Sequence, residues 1–172
     1  MSTQPIVADA AGHRHFACAP CAVAAFIVDD RERLLLLSCP DKRRSPGKWE
    51  IVNGALEAGE TLLQGVLREV REEAGPQIRV RPLGVIHAYT FRYDESIRYM
   101  NTVCFLLAYE GGKVVPGDDM AGSEVRWADL DEIASGAIEI LIPSFYPWLP
   151  RHAIEMYRLL RDRSAVELQA AL

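Results

Sequence analysis

The stretch GALEAGETLLQGVLREVREEAG, Gly54–Gly75, decides how this chain is read. Leu62, Leu63, Val66, Leu67, Val70 and Ala74 recur at helical spacing and predict one buried face on a helix over about residues 62–74. Thr61 is a good N-cap, and Gln64 three residues later completes a capping box. Gly75 stops the helix, and Pro76 forbids continuation. The same helix gathers Glu69, Glu72 and Glu73 in its last turns. Positions three and four apart are neighbours on a helix surface, so these like charges repel by a few tenths of a kcal/mol per pair. They also stand at the negative end of the helix dipole, where an anion is disfavoured by about 0.3–1 kcal/mol. A solvated face on which Glu72 pairs with Arg68 is one explanation. A divalent cation is the other, because three carboxylates within a turn offer hard oxygen ligands to Mg2+ or Mn2+.

Composition narrows the function classes. The 172 residues suit one domain with a real core. Apolar and charged fractions of 49% and 25% are those of an ordinary globular protein. A net charge of -5 announces no basic surface for nucleic acid or anionic membrane, so substrate phosphates need a metal or a few local arginines. No signal-peptide pattern opens the sequence, and no apolar run reaches the length of a membrane span. A cytoplasmic, reduced protein is expected, with Cys39 and Cys104 as small buried hydrophobes.

Around the opening helix, strand and helix signals alternate. Residues 1–20 read as a loose leader, and residues 21–172 as a single domain. AVAAFIVDD (22–30) and LLLLSC (34–39) predict a hairpin or adjacent buried strands. WEIV (49–52) predicts a short strand running into Asn53-Gly54, a strong turn pair. The two longest strand candidates are 78–91 and 97–110, with the turn at 94–96. EVRWADL (124–130) leads from a strand into a short helix. An amphipathic helix is expected over about 151–163, after Pro143, Pro147 and Pro150. The interleaving argues an α/β or α+β sandwich.

Gly54, then Glu60, then Arg68-Glu69, then Glu72-Glu73 and Gly75, with Val70 at an aliphatic position, fit G-x5-E-x7-R-E-U-x-E-E-x-G-U. This resembles the box of the Nudix hydrolase family. Pro76 departs from it where an aliphatic residue ends the box, and Val52-Asn53-Gly54 stands where the family often has Pro-Gly-Gly. The resemblance implies an α/β/α sandwich with a mixed β-sheet. It also implies Mg2+-dependent hydrolysis of a nucleoside diphosphate linked to another group, with Mn2+ as a substitute. By the same resemblance Glu69, Glu72 and Glu73 match the metal-binding glutamates, and Arg68 matches the arginine that orients a catalytic glutamate. Glu60 supports the loop or reaches a second metal, and Gly54 and Gly75 shape the box. Glu69 is one candidate base, with Glu72 beside it. Some members use an acidic residue from a later loop, here Asp118, Asp119 or Glu124 ahead of Trp127.

Substrate choice lies outside the box. Arg43, Arg44 and Lys48 are either a solvated basic loop or contacts for terminal phosphates. Tyr89, Phe91 and Tyr93 alternate along a strand and either stack a base or pack the core. Tyr93 follows the box at a spacing similar to the dinucleoside polyphosphate branch, while Phe91 stands where ADP-ribose hydrolases usually carry proline. His13, His15, Cys18 and Cys21 have a spacing that suits zinc, although incidental residues in a leader are the simpler account. The expected partner is a small nucleotide-type molecule rather than nucleic acid or membrane, and a homodimer is compatible with the sequence. Two other classes share the implied fold: an isopentenyl-diphosphate-isomerase-like enzyme and a non-catalytic nucleotide-binding regulator. The first needs a further catalytic Cys and Glu with no clear counterpart here. The second usually loses box glutamates, which this chain keeps.

Overall fold

The computed structural model describes residues 6–8, 14–16, 19–38, 47–141 and 146–163. Two three-residue strands, β1 (Ile6–Ala8) and β2 (Arg14–Phe16), pair antiparallel in a small sheet of their own. The main sheet begins with β3 (Cys21–Val28) and β4 (Leu34–Ser38). It continues through β5 (Trp49–Glu50) and β6 (Val52–Ala55). After helix α1 (Leu62–Glu73) come β7 (Arg79–Phe91) and β8 (Met100–Gly111). A 3-10 turn at Asp118–Met120 precedes β9 (Val125–Ala128), helix α2 (Leu130–Ala134) and helix α3 (Leu149–Leu160). No helix among the described residues is long and apolar enough to cross a membrane.

The seven strands form one mixed sheet. Its spine runs β5-β4-β3-β8-β7, with β6 added to β3 and β9 to β4. β3 and β8 are parallel, and the remaining pairs are antiparallel. One edge of β3 is divided between two neighbours: Ala22–Ala25 face β6, whereas Val28 faces Leu34 of β4. This division seats the start of the box directly on the central strand.

Alternate residues of the central strands feed two cores, which explains the unbroken apolar runs. Val23, Ala25, Ile27, Leu35 and Leu37 pack with Val66 and Val70 of α1. Ala24, Phe26, Val28, Leu34 and Leu36 pack with Leu149, Ala153 and Tyr157 of α3. The result is the α/β/α sandwich with a mixed sheet implied by the box. Burying Val66 and Val70 contributes roughly 1.5–3 kcal/mol each, and it holds α1 against the sheet.

The capping box of α1 forms as expected. The Gln64 N–H donates to Thr61 Oγ1 at 3.3 Å, and the Thr61 N–H donates to Gln64 Oε1 at 2.8 Å. The buried face differs from the expectation. Leu62 and Leu63 are 37% and 44% exposed, while Glu69 and Glu73 are only 8% and 6% exposed. A Cβ on Gly65 would lie 2.6 Å from Leu56 Cδ1, so Leu56 takes the space beside the first turns of the helix.

Three further boundaries differ. Asn53-Gly54 is not a turn, because the two residues pair with Ala24 and Val23 inside β6. The turn comes later, at Ala58-Gly59, where Gly59 has φ +90° and the Glu60 N–H donates to Glu57 O. The connection from β7 to β8 is longer than three residues, because Asp94 Oδ1 accepts from the Ser96 and Ile97 N–H groups and folds the chain locally. Helix α3 starts at Leu149 with Pro150 in its first turn, a position where proline costs no hydrogen bond. Arg158 Nε donates to Glu32 Oε2 at 2.8 Å, tying α3 to the β3–β4 turn.

Candidate active site

Gly54 shows what this part of the sequence is built to do. A Cβ on it would lie 2.1 Å from Glu69 Oε1, so the bare Cα leaves room for that carboxylate. The glycine is needed here for close approach of strand and helix rather than for a turn. β6 and α1 meet again at the next pair, where the Asn53 N–H donates to Glu73 Oε2 at 3.0 Å. Glu69 and Glu73, four apart, therefore both face β6.

Arg68 gathers the other carboxylates. Its Nε donates to Glu60 Oε1 at 2.9 Å, and Nη1 donates to Glu69 Oε1 and to Glu72 Oε2, each at 2.8 Å. Nη2 donates to the Ala55 carbonyl at 2.9 Å and to Glu60 Oε2 at 3.2 Å. The planar fork is what lets one side chain serve three carboxylates and a carbonyl. The Glu60 carboxylate also accepts the Glu57 N–H at 3.0 Å. Arg68 first, and that N–H second, hold its pKa below the usual carboxylate value, while the contacts of Arg68 with Glu60 and its neighbours push the guanidinium pKa further up. The helix thus gathers like charges because a cation is already among them.

An open cleft of about 820 Å³ lies along β6. Asn53, Gly54 and Ala55 form one wall, and Tyr89, Phe91 and Tyr93 form another. Their rings step along the wall, with centroids 5.9 Å apart from Tyr89 to Phe91 and 6.3 Å from Phe91 to Tyr93. The floor is made of small residues on the two central strands, including Ala22, Ala24, Thr102 and Cys104. Glu50 adds a carboxylate to the lining. Burial pushes the Cys104 thiol up to about 12, so this sulfur is a small apolar surface and not a nucleophile.

The structure thus brings together Gly54, Glu60, Arg68, Glu69, Glu72 and, through Asn53, Glu73. Gly75 ends α1 at φ +101°, facing the Val115 carbonyl. Tyr93 lies on the cleft wall. Glu124 is exposed, and its backbone is bonded to Ser38: its N–H donates to Ser38 Oγ at 2.7 Å and its carbonyl accepts the Ser38 N–H at 2.9 Å. Asp118 has φ 49° at the start of the 3-10 turn. Lys48 pairs with Glu139 at 2.6 Å. Cys21 opens β3. His13, Cys18, Cys39, Arg43 and Arg44 lie outside the described residues, as do the side chains of His15 and Asp119.

Sequence reasoning missed Glu50, Thr102 and the small-residue floor. The signal was present in AVAAF (22–26), where alanines occupy strand positions that favour larger β-branched residues.

A NUDIX domain family model matches residues 20–149. The chain belongs to the NUDIX domain family. Among its NUDIX relatives, an NAD-capped RNA hydrolase NudC of Photobacterium profundum is 33% identical over 114 residues, covering 66% of this chain and 39% of the relative. Another NudC, from Stutzerimonas stutzeri, is 28% identical over 156 residues, covering 86% and 51%. This chain therefore spans about half or less of the length of these relatives. Solved NUDIX folds superpose well. An ADP-ribose pyrophosphatase from Streptococcus suis aligns at TM-score 0.63 and 19% identity, covering 82% of this chain and 93% of that one. A MutT protein from Methanosarcina mazei Go1 aligns at TM-score 0.60 and 23% identity, covering 84% and 96%.

The NUDIX carboxylates suit a hard divalent cation in kind, since every donor is an oxygen. Among the described residues, however, no three His, Cys, Asp or Glu side chains already converge on a common point. Glu69 and Glu72 are drawn to Arg68, and Glu73 to the Asn53 N–H. The cradle at Gly54 holds the Glu69 carboxylate behind a residue that lines the cleft.

Proposed function

We propose that this chain hydrolyses the pyrophosphate bond of a nucleoside diphosphate linked to another group, with Mg2+ as cofactor and Mn2+ as a substitute. The observation that supports this best is the double position of Gly54. It lines the cleft, and a Cβ on it would meet the carboxylate of Glu69, so one carboxylate of the cluster lies directly behind a residue of the cleft wall. A base stacked against Tyr89, Phe91 or Tyr93 would leave its phosphates near β6. NudC and ADP-ribose pyrophosphatase relatives act on substrates of this general type by their names, which supports the same class.

In this reading Glu69, Glu72 and Glu73 hold the cation, and Glu69 also takes the proton from the attacking water. Bound there, the cation would neutralise phosphate charge and lower the pKa of water. Arg68 fixes the carboxylate orientations, and Glu60 fixes Arg68. Water adds to one phosphorus, the bridging oxygen leaves on the other phosphate, and a nucleoside monophosphate is one product. Tyr93 contacts the base or ribose, and Arg44 a terminal phosphate.

The test is a panel of NAD, ADP-ribose, dinucleoside polyphosphates and nucleotide sugars, each with millimolar Mg2+. At least one should be cleaved to a nucleoside monophosphate, and EDTA should abolish that cleavage. Full turnover in metal-free buffer would overturn the mechanism.

A further inference from the structure

The loop after β8, residues 112–124, closes on the C-terminal end of α1. The last carbonyls of a helix have no partner within it. Here two of them are met from the loop: the Val115 N–H donates to Ala74 O at 2.9 Å, and the Gly117 N–H donates to Glu73 O at 3.2 Å. The approach is tight on both sides. A Cβ on Gly75 would lie 2.5 Å from Val115 O, and a Cβ on Gly117 would lie 2.8 Å from Glu72 O.

Gly117 is the informative member of this pair. Its φ and ψ are -131° and -173°, an extended backbone open to any residue. Glycine is needed there only for contact, and the atom contacted is a helix carbonyl rather than the end of a flexible side chain. The loop also has little freedom to retreat. Met120 is buried in the same core as Val66 and Val70, and the Glu124 backbone is bonded to Ser38 of β4. A side chain at 117 must therefore displace the last turn of α1.

We infer that Gly117 is a positioning residue for cation binding: by letting the loop close on Glu72 O, it fixes the turn that carries the carboxylates of Glu72 and Glu73. The N–H groups it brings also offset the negative end of the helix dipole where those carboxylates collect. This rests on the proposed metal role of the glutamates. Ligand geometry must hold to about 0.5 Å, and moving a Cβ from 2.8 Å out to ordinary contact needs a shift of about that size.

The test is Mn2+ binding to the protein without substrate, followed by electron paramagnetic resonance. Gly117→Ala should bind Mn2+ about tenfold more weakly, the scale seen when a supporting group is lost. Gly122→Ala is the control. Gly122 has φ +84° and no atom within 4 Å of an added Cβ, so this change strains the same loop without touching α1. It should lower Tm and leave Mn2+ affinity unchanged. Should Gly117→Ala not fold, Met120→Ala loosens the loop's anchor with Gly117 intact and should weaken Mn2+ binding in the same way. Wild-type affinity in a folded Gly117→Ala protein, or equal weakening by Gly122→Ala, would overturn the inference while leaving the metal role standing. Failure of the wild-type protein to bind Mn2+ would overturn the metal role itself, and the inference with it.

Discussion

Glu69→Gln is expected to give a folded protein that binds nucleotide and loses at least about 100-fold in kcat, the scale of one positioned acid–base or electrostatic group. Glutamine keeps the length and planarity that fit against Gly54, and its carbonyl can still accept from Arg68 Nη1. What disappears is the negative charge, and with it a cation ligand and a proton acceptor. Tm should therefore move little while turnover collapses. Glu124→Gln is the comparison from the later loop. Glu124 is exposed, and the bonds that fix it run through its backbone, so its amide should keep near-normal turnover. The reverse pattern, with Glu69→Gln active and Glu124→Gln dead, would move the chemistry to the loop before Trp127.

Arg68→Met should have the largest effect on stability. Methionine fills a similar volume but leaves Glu60, Glu69 and Glu72 repelling one another without their shared donor. Removing one partner from a buried ion pair costs about 3–5 kcal/mol. Glu72 is open to solvent and screened, so a loss of roughly 2–4 kcal/mol is expected. Calorimetry in EDTA should show a Tm lower by about 5–15 °C, and Mg2+ should restore more of it in the variant than in wild type. Arg68→Lys should recover less than half of the loss, because an ammonium cannot reach three carboxylates and the Ala55 carbonyl at once. A Tm within a degree of wild type for Arg68→Met would show that the cluster is already neutralised by other means.

Much of this was legible in the sequence because it is local. The capping box at Thr61 and Gln64, the stop at Gly75 and the box spacing all lie within one helix and its approach. The alternation of strands and helices carried the sandwich. What escaped depends on contacts between distant segments. Asn53-Gly54 has turn-forming chemistry, yet pairing with β3 holds it in a strand so that β6 can lie against Glu69 and Glu73. Leu62 and Leu63 have the right spacing for a core but stay exposed in the first turn, where Leu56 lies against Gly65. The like charges of α1 looked unfavourable by helix rules alone. The counterweight was one residue away at Arg68, but its reach to Glu60 and Ala55 depends on how the turn after β6 folds back. The cleft was least visible, since its floor is defined by what Ala22 and Ala24 do not fill.

The parallel pairing of β3 with β8 has a consequence for how the chain reaches its native state. Val23 lies opposite Val103, and every residue of β3 from Cys21 to Val28 finds its partner on β8. A growing chain that has made α1 still has the β8 edge of β3 bare, and it must hold the Leu34–Leu37 run without β9. Bringing β8 back to β3 closes a long loop, which costs entropy before any contact offsets it, so this pair is expected to form late. Helix α1 can therefore take shape early, but the sheet it rests on is completed only when the second half of the chain arrives. During that interval the exposed apolar strands are the part of the molecule most open to association with other chains.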